Sequence, residues 1–404
     1  MALTLQDATV VLHPGGDLHA QATEMRTLGP IAPVLLPEDV PAWAVASNTA
    51  AQAVLRDSHT FTKDISCWHA RTSGQVPSDW ALLPFVDPPR SMITVDGEDH
   101  RRMRAPLARA FTEARIRALA PSVTSLAVGL LDQLQRTAGQ DPVDVKDCFA
   151  FPLPMYVIGD LLGIPADWHP ELRDLFSVFF NDEAEPAAKV DTLGRLSELI
   201  GNLIAMRRNE PREDLVSALV GAPEFGGYVE TELIGTIQVL IAAGHETTVN
   251  LLINALRALD AHPDQLQDLR ANPALWPQAV EEVLRWDPPT ANFPMRYATK
   301  DTRIQDVTIR RGDPVLISYI AMGRDPGTFG PTAHLFDIHR VGRRHSSFGH
   351  GPHVCIGAPL ARLEAALALP AFYERFPKAR IADAPTPTPS LIVNGYQDLR
   401  MQLT

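Results

Sequence analysis

Thirty-five prolines are scattered through 404 residues, yet none falls between Thr231 and Asp260. Proline removes a backbone donor and clashes within a helix, so a long gap in its distribution is permissive for one continuous helix. That segment would be about 45 Å long. Its middle is apolar, so it is expected to run through the core rather than across a surface. From Asp99 onward helical periodicity dominates the chain. Residues 31–48 read as two short strands around a turn, with Asn48 as the cap of the next helix. Residues 65–96 hold Trp68, Trp80 and Phe85 without a sustained period, which predicts a long irregular loop. Strand-like alternation returns at 296–320, most clearly in GDPVLISYI. A glycine-rich loop at 347–357 precedes a helix predicted from Pro359 to Phe376, kinked at Pro370. LIVNG in the tail reads as a hairpin strand, followed by one final short strand. The expectation is a mainly α fold with small β-sheets, a single domain over 1–404 and no internal repeat.

Composition narrows the partners. The chain is 45% hydrophobic and 21% charged, as in globular proteins with a large core. A net charge of -12 disfavours nucleic acid, whose phosphates require clustered positive charge. Cys67, Cys148 and Cys355 form no disulfide framework and suit a reducing compartment. No charged segment followed by an apolar stretch opens the chain, and no clean apolar run reaches the ~20 residues of a membrane span. A soluble, cytoplasmic protein is expected.

The strongest chemical signal is FGHGPHVCIG, residues 348–357. A thiolate ligand needs a depressed thiol pKa and an accessible sulfur. This loop lies just before a helix start, where backbone N–H groups and the helix dipole stabilise an anion at Cys355. Gly349, Gly351 and Gly357 would let the backbone approach a flat cofactor, with Phe348 packed beneath it. A zinc site from His350, His353 and Cys355 lacks the paired cysteine spacing, and an iron–sulfur cluster lacks its four cysteines.

Phe348, Gly351, Cys355 and Gly357 resemble the haem-binding signature of the cytochrome P450 superfamily. The resemblance implies haem b, with Cys355 as its axial iron ligand and the haem between the long central helix and the cysteine-loop helix. Three further motifs occur in the family's order. Glu282-Val-Leu-Arg285 is similar to the family's buried structural Glu/Arg pair, with Arg340 as its further basic partner and His339 as second candidate. Ala243-Gly-His-Glu-Thr-Thr248 resembles the oxygen-binding groove of the central helix, and implies Glu246 and Thr247 as the acid–alcohol pair that delivers protons. A glycine, a carboxylate and two threonines also break the local helix preferences, which often marks function. His100 and Arg104, four apart on one helix face, imply contacts to haem propionates, as do Arg296 and His353. Two departures stand out: Asp96-Gly-Glu-Asp-His100 where Asp-Pro-Pro-Glu-His is usual, and Gly323 where asparagine is common.

The implied chemistry is oxygenation at haem iron. The length leaves no room for a fused reductase, so a ferredoxin and its reductase are expected as electron donors. Arg101, Arg102, Arg109, Arg343 and Arg344 flank the haem motifs and are candidates for a basic docking face. Motif offsets nominate pocket residues: Val239, Ala242 and Ala243 on the central helix; Ala291, Asn292 and Phe293 before Arg296; Ile392 and Val393 in the tail. Trp80 and Phe85 in the loop, and Phe179 and Phe180 in a lid, complete the set. Such a pocket suits a bulky, mostly apolar molecule such as a steroid or macrolide. Two alternatives stay open: C–C or aromatic coupling of a peptide-derived product such as a cyclic dipeptide, and non-enzymatic haem binding.

Overall fold

The computed structural model describes residues 3–137, 139, 141–221, 228–342 and 344–404. Its axis is the central helix, Glu230–Ala261. Two glutamates in the first turn, Glu230 and Glu232, suit the positive end of the helix dipole, and Glu232 accepts from the Val229 N–H at 3.3 Å. Every residue from Thr248 to Leu256 is buried, so the helix is enclosed on all sides there, with Thr248, Asn250 and Asn254 the polar members of the stretch. It is long and apolar enough to cross a membrane, unlike the short runs expected from the sequence, and most of that stretch is buried inside the protein.

Packed against it are the helix Pro152–Leu162, the helix Pro186–Asn209, the Glu/Arg helix Trp276–Trp286 and the C-terminal helix Ala358–Arg375. The C-terminal helix continues past Pro370 to Arg375. Together with Ala120–Thr137 these helices enclose the largest hydrophobic cluster, which draws residues from Met92 to Leu403. A second helix of functional interest, the basic helix Gly97–Ala110, begins after Asp96.

A six-stranded sheet flanks the helices, in the order Val10–Val11, Ile31–Leu36, Val40–Val45, Pro314–Ser318, Asn292–Ala298, Phe61–Thr62. Ile31–Leu36 and Val40–Val45 are antiparallel, and the second runs parallel to Pro314–Ser318 with Trp43 opposite Val315. A register irregularity between Phe293 and Arg296 bends the strand that carries Arg296.

Three local readings differ from expectation. Ser47, not Asn48, caps the second helix: its hydroxyl accepts from the Ala50 N–H, and Asn48 is already the first helical residue. Tyr319 and Ile320 leave the GDPVLISYI strand for a short helix, Tyr319–Gly323. LIVNG is not a strand; only an isolated bridge joins Val393 to Thr290. The segment is held by side chains instead, with Ser390 Oγ accepting from the Ile392 and Val393 N–H groups.

Candidate active site

The cysteine loop ends where the C-terminal helix begins. The Cys355 N–H donates to the Phe348 carbonyl at 2.7 Å, closing the loop on itself. Gly349 and Gly351 have φ of +77° and +73°. At Gly351 a Cβ would lie 2.6 Å from the Leu55 carbonyl oxygen, so no other residue fits there. Burial pushes the Cys355 thiol up, while the Gly357 and Ala358 N–H groups, Arg104 and Arg362 pull it down. Arg362 also lies over the Phe348 ring, 4.5 Å from its centre.

Cys355 opens into a cavity that gathers many of the expected residues. Phe348, Gly349, His353 and Gly357 come from its own loop, Arg104 from the basic helix, and Phe293 and Arg296 from the bent strand. Val239, Ala243, Gly244 and Thr247 come from the central helix. Thr247 Oγ1 donates to the Ala243 carbonyl at 2.6 Å, the back-bond of a helical threonine. The walls are otherwise largely apolar, with Met92, Ile93, Leu240 and Leu251 among them.

One side of the cavity is cationic. Arg296 is 2% exposed, donates to the Phe61 carbonyl at 2.9 Å, and leaves its Nη2 without a partner. His353 bonds Asp96 at 2.9 Å and stacks on His100 with ring centres 4.2 Å apart. Burial lowers His353 to about 4 despite Asp96. His100 does not line the cavity; it is buried behind His353, with Nε2 unpartnered. Arg104 donates to the Val354 carbonyl. Lys63 also lines this side, 4.9 Å above the Phe293 ring, and burial with nearby Arg296 lowers it to about 7. No sequence motif pointed to Lys63. Orphaned buried N–H donors beside an apolar chamber and a thiol fit a flat apolar group with an anionic edge. His350 bonds Arg56 instead, and among the described residues no His/Cys/Asp/Glu cluster could hold a metal ion.

Other expected residues lie elsewhere. Glu246 is buried and accepts from Asn250 at 3.0 Å. It borders a separate polar cleft with Lys146, Asp147, Arg173 and Asn181, because adjacent helix residues point to different faces. Trp80 packs on Trp68 in the core behind the sheet and donates to the Pro37 carbonyl at 2.9 Å. Ala242 is partly buried against the main core. Ala291, Ile392 and Val393 are core residues outside the cavity wall. Asn292 uses its amide N–H to hold the Leu391 carbonyl at 2.8 Å. Phe85, Phe179 and Phe180 pack on one another, with Phe85 and Phe179 ring centres 4.8 Å apart.

Glu282 and Arg285 are both fully buried. Arg285 bonds Glu282 at 2.8 and 2.6 Å, and donates to the carbonyls of Gly323, Ala333 and Leu335. Arg340 reaches Glu282 at 3.3 Å, whereas His339 pairs with Asp268. A Cβ at Gly323 would sit 1.9 Å from the Arg285 carbonyl oxygen, which accounts for glycine there. The other departure places Asp96 before the basic helix, where it binds His353 and the Lys63 N–H.

Helical architecture, cavity and cationic edge together define a haem-thiolate oxygenase. Residues 196–390 match the sequence model described as Cytochrome P450. A 2-hydroxy-5-methyl-1-naphthoate 7-hydroxylase of Streptomyces carzinostaticus is 35% identical, covering 96% of this chain and 96% of the relative. Cytochrome P450 monooxygenase PikC of Streptomyces venezuelae is 37% identical over 91% of this chain and 86% of its own length. Testosterone-bound CYP154C4 from Streptomyces sp. ATCC 11861 superposes with a TM-score of 0.95 at 40% identity, covering 98% of both chains. The chain belongs to the cytochrome P450 family, whose members are haem-thiolate enzymes using protoporphyrin IX. It is a P450 monooxygenase, and these relatives do not favour ring coupling or non-enzymatic haem binding.

Proposed function

We propose that this P450 oxidises a bulky, mostly apolar natural product of the steroid or macrolide class, with Cys355 as the iron ligand. The observation that carries this is the Cys355 thiol opening into an apolar cavity that also holds Thr247 on one wall and Arg104, Arg296 and His353 on another. Bound haem supplies dioxygen activation. Arg104, Arg296 and His353, with Lys63, would hold its two carboxylates, and His100 backs His353 from behind. Gly244 keeps the central helix open at the cavity: a Cβ there would already meet Ile158 at 3.0 Å. Thr247, its own O–H given to the Ala243 carbonyl, is left to accept a hydrogen bond from the cavity, and Glu246 exchanges protons from the separate polar cleft. The relatives named 2-hydroxy-5-methyl-1-naphthoate 7-hydroxylase, PikC and vitamin D(3) 25-hydroxylase, and the testosterone-bound CYP154C4, support the substrate class. Residues 1–404 work as one domain in the cytoplasm, receiving electrons from a ferredoxin and its reductase.

The test combines a reduced carbon-monoxide difference spectrum with testosterone as a probe. Wild type should give the thiolate-type Soret band, and Cys355→Ala should lose it. Testosterone should produce a spectral binding shift and a product carrying one atom of labelled dioxygen. A thiolate-type band that survives in Cys355→Ala refutes the ligand assignment; a product formed without oxygen incorporation refutes the reaction.

A further inference from the structure

The wall of the Cys355 cavity includes two residues of the irregular loop, Met92 and Ile93. Neither belongs to a helix or strand: residues 89–96 form a strap of bends and turns. Side chains and one closed turn give it shape. The Ser91 N–H donates to Thr94 Oγ1 at 2.9 Å, and the Thr94 N–H donates to the Ser91 carbonyl at 3.1 Å, so Met92 and Ile93 form the crown of that turn. At the far end Asp96 accepts from the Lys63 N–H and the Thr62 hydroxyl and bonds His353. At the near end is Arg90.

Arg90 crosses the central helix at Gly235. A Cβ there would stand 2.5 Å from the Arg90 carbonyl oxygen and 3.1 Å from Pro89, so the strap rests directly on the helix backbone. Gly235, Val239, Ala243 and Thr247 are spaced by four and share one helix face, which is cavity wall from Val239 onward. The crossing therefore lies on the wall's own face, about 6 Å up the helix from Val239. Charge seats it there. Arg90 Nε donates to Glu232 at 3.0 Å and its Nη2 to Asp99 at 2.6 Å, while Arg102 holds the same Glu232 at 2.8 Å. Burial pushes the Glu232 carboxyl up, but Arg102, Arg90 and the Val229 N–H pull it below its ordinary value, so the clamp is ionised. The hydroxyls beside the crossing add nothing: Ser91 Oγ and Thr236 Oγ1 are buried without partners.

We propose that Arg90 is a positioning residue: clamped to Glu232 and Asp99 over Gly235, it fixes how far Met92 and Ile93 project into the cavity, and so how large a group fits beside Thr247. Arg90 touches no substrate and acts through the strap alone. Its side chain is half exposed, and Glu232 keeps Arg102 when Arg90 is removed, so no buried carboxylate is left unpaired. Gly235→Ala acts on the same contact from the helix side. The inference rests on the haem-thiolate reading, so the experiment separates the two.

The holoenzyme is titrated with imidazole and with 4-phenylimidazole, nitrogen ligands for haem iron that differ by one phenyl ring, and binding is read from the optical spectrum. The ratio of their affinities measures the room beside the wall and requires no turnover. Ile93→Ala, which cuts the wall back directly, calibrates the ratio. Arg90→Met and Gly235→Ala should each shift it several-fold toward 4-phenylimidazole. The double variant should go no further than the stronger single one, because both act at one contact. Arg90→Lys, which keeps the charge at a single point, should fall between wild type and Arg90→Met. Amide exchange across residues 91–95 should rise in the same order. A residue that only stabilised the fold would lower the melting temperature and leave the ratio alone. A ratio that does not rise in Arg90→Met overturns the proposal, and this variant decides even where Gly235→Ala does not fold. A normal thiolate-type carbon-monoxide spectrum beside that result means that only this inference fails. An abnormal one in wild type means that the haem-thiolate reading itself fails.

Discussion

Arg285 uses all five of its N–H donors: two on Glu282 and three on the carbonyls of Gly323, Ala333 and Leu335. Those carbonyls belong to the segment that leads toward the cysteine loop, so the side chain is a hub for the wall beneath the cavity. Lysine keeps the charge but offers three donors from a single point. Arg285→Lys should therefore lose at least two bonds, lowering stability by about 3 kcal/mol or more. Chemical denaturation checks this, and a midpoint equal to wild type would contradict it. Glu282 and Arg285 were legible in sequence because their spacing is fixed by one helix. Lys63 was not. It is an isolated polar residue in a segment without a motif, and only the fold turns it toward the cavity. Glu246 shows the opposite case: its spacing was legible, but the helical rotation between neighbours aims it at a different cleft from Thr247.

At the scale of elements, the lid is tied down at one buried pair. Lys189 and Asp182 approach to 3.8 Å with both side chains almost fully buried. Lys189 donates to the Ala81 carbonyl at 3.1 Å, and Asp182 accepts from the Leu391 N–H at 2.6 Å. The Asp182 N–H also donates to the Pro389 carbonyl at 2.8 Å. Three elements thereby meet: the lid, the irregular loop and the tail, with Phe85, Phe179 and Phe180 stacked beside them. This explains why aromatic pocket candidates lie outside the cavity wall, packed into the lid contact instead. Lys189→Met should raise hydrogen exchange at Asn181–Lys189 and at Leu391; wild-type protection there would refute the latch. Burial raises Asp182 to about 6, above the ordinary 3.8. Its contribution to global stability is thus full below 3.8 and declines as pH rises through about 6, whereas the ion pair exists only above that value. Opening the lid returns Asp182 to water and its ordinary 3.8, so acidification below about 6 should hold the lid closed, in the direction opposite to Lys189→Met. Long helices and the cysteine-loop helix were readable from periodicity and proline placement. The tail was misread because LIVNG has strand composition while its backbone groups are satisfied by side chains.

For the whole molecule, the net charge of -12 makes any basic face stand out to an acidic partner. Arg101 and Arg344 are exposed near the cysteine-loop side, and Arg343 lies outside the described residues. Arg109 borders a surface groove with Arg115 and Arg212. Arg102 differs: it holds the buried Glu232 at 2.8 Å and so fastens the basic helix to the start of the central helix. Reversing Arg101 and Arg344 should slow electron transfer from a ferredoxin and flatten its salt dependence. Stopped-flow reduction at several ionic strengths measures both, and unchanged rates would remove these residues from the docking face. Reversing Arg102 instead mixes docking with loss of stability. The sheet carries a last consequence, for how the chain is made. Trp43 pairs with Val315, and Val45 with Ile317. During synthesis the first strands therefore wait, one edge unpaired, while most of the polypeptide is still being added. The strand bearing Arg296 emerges just before Pro314–Ser318 and the loop bearing Cys355 after it, so the cavity can close on a cofactor only once residue 355 has been added, and until its partner strand arrives that apolar edge is open to pairing with another molecule.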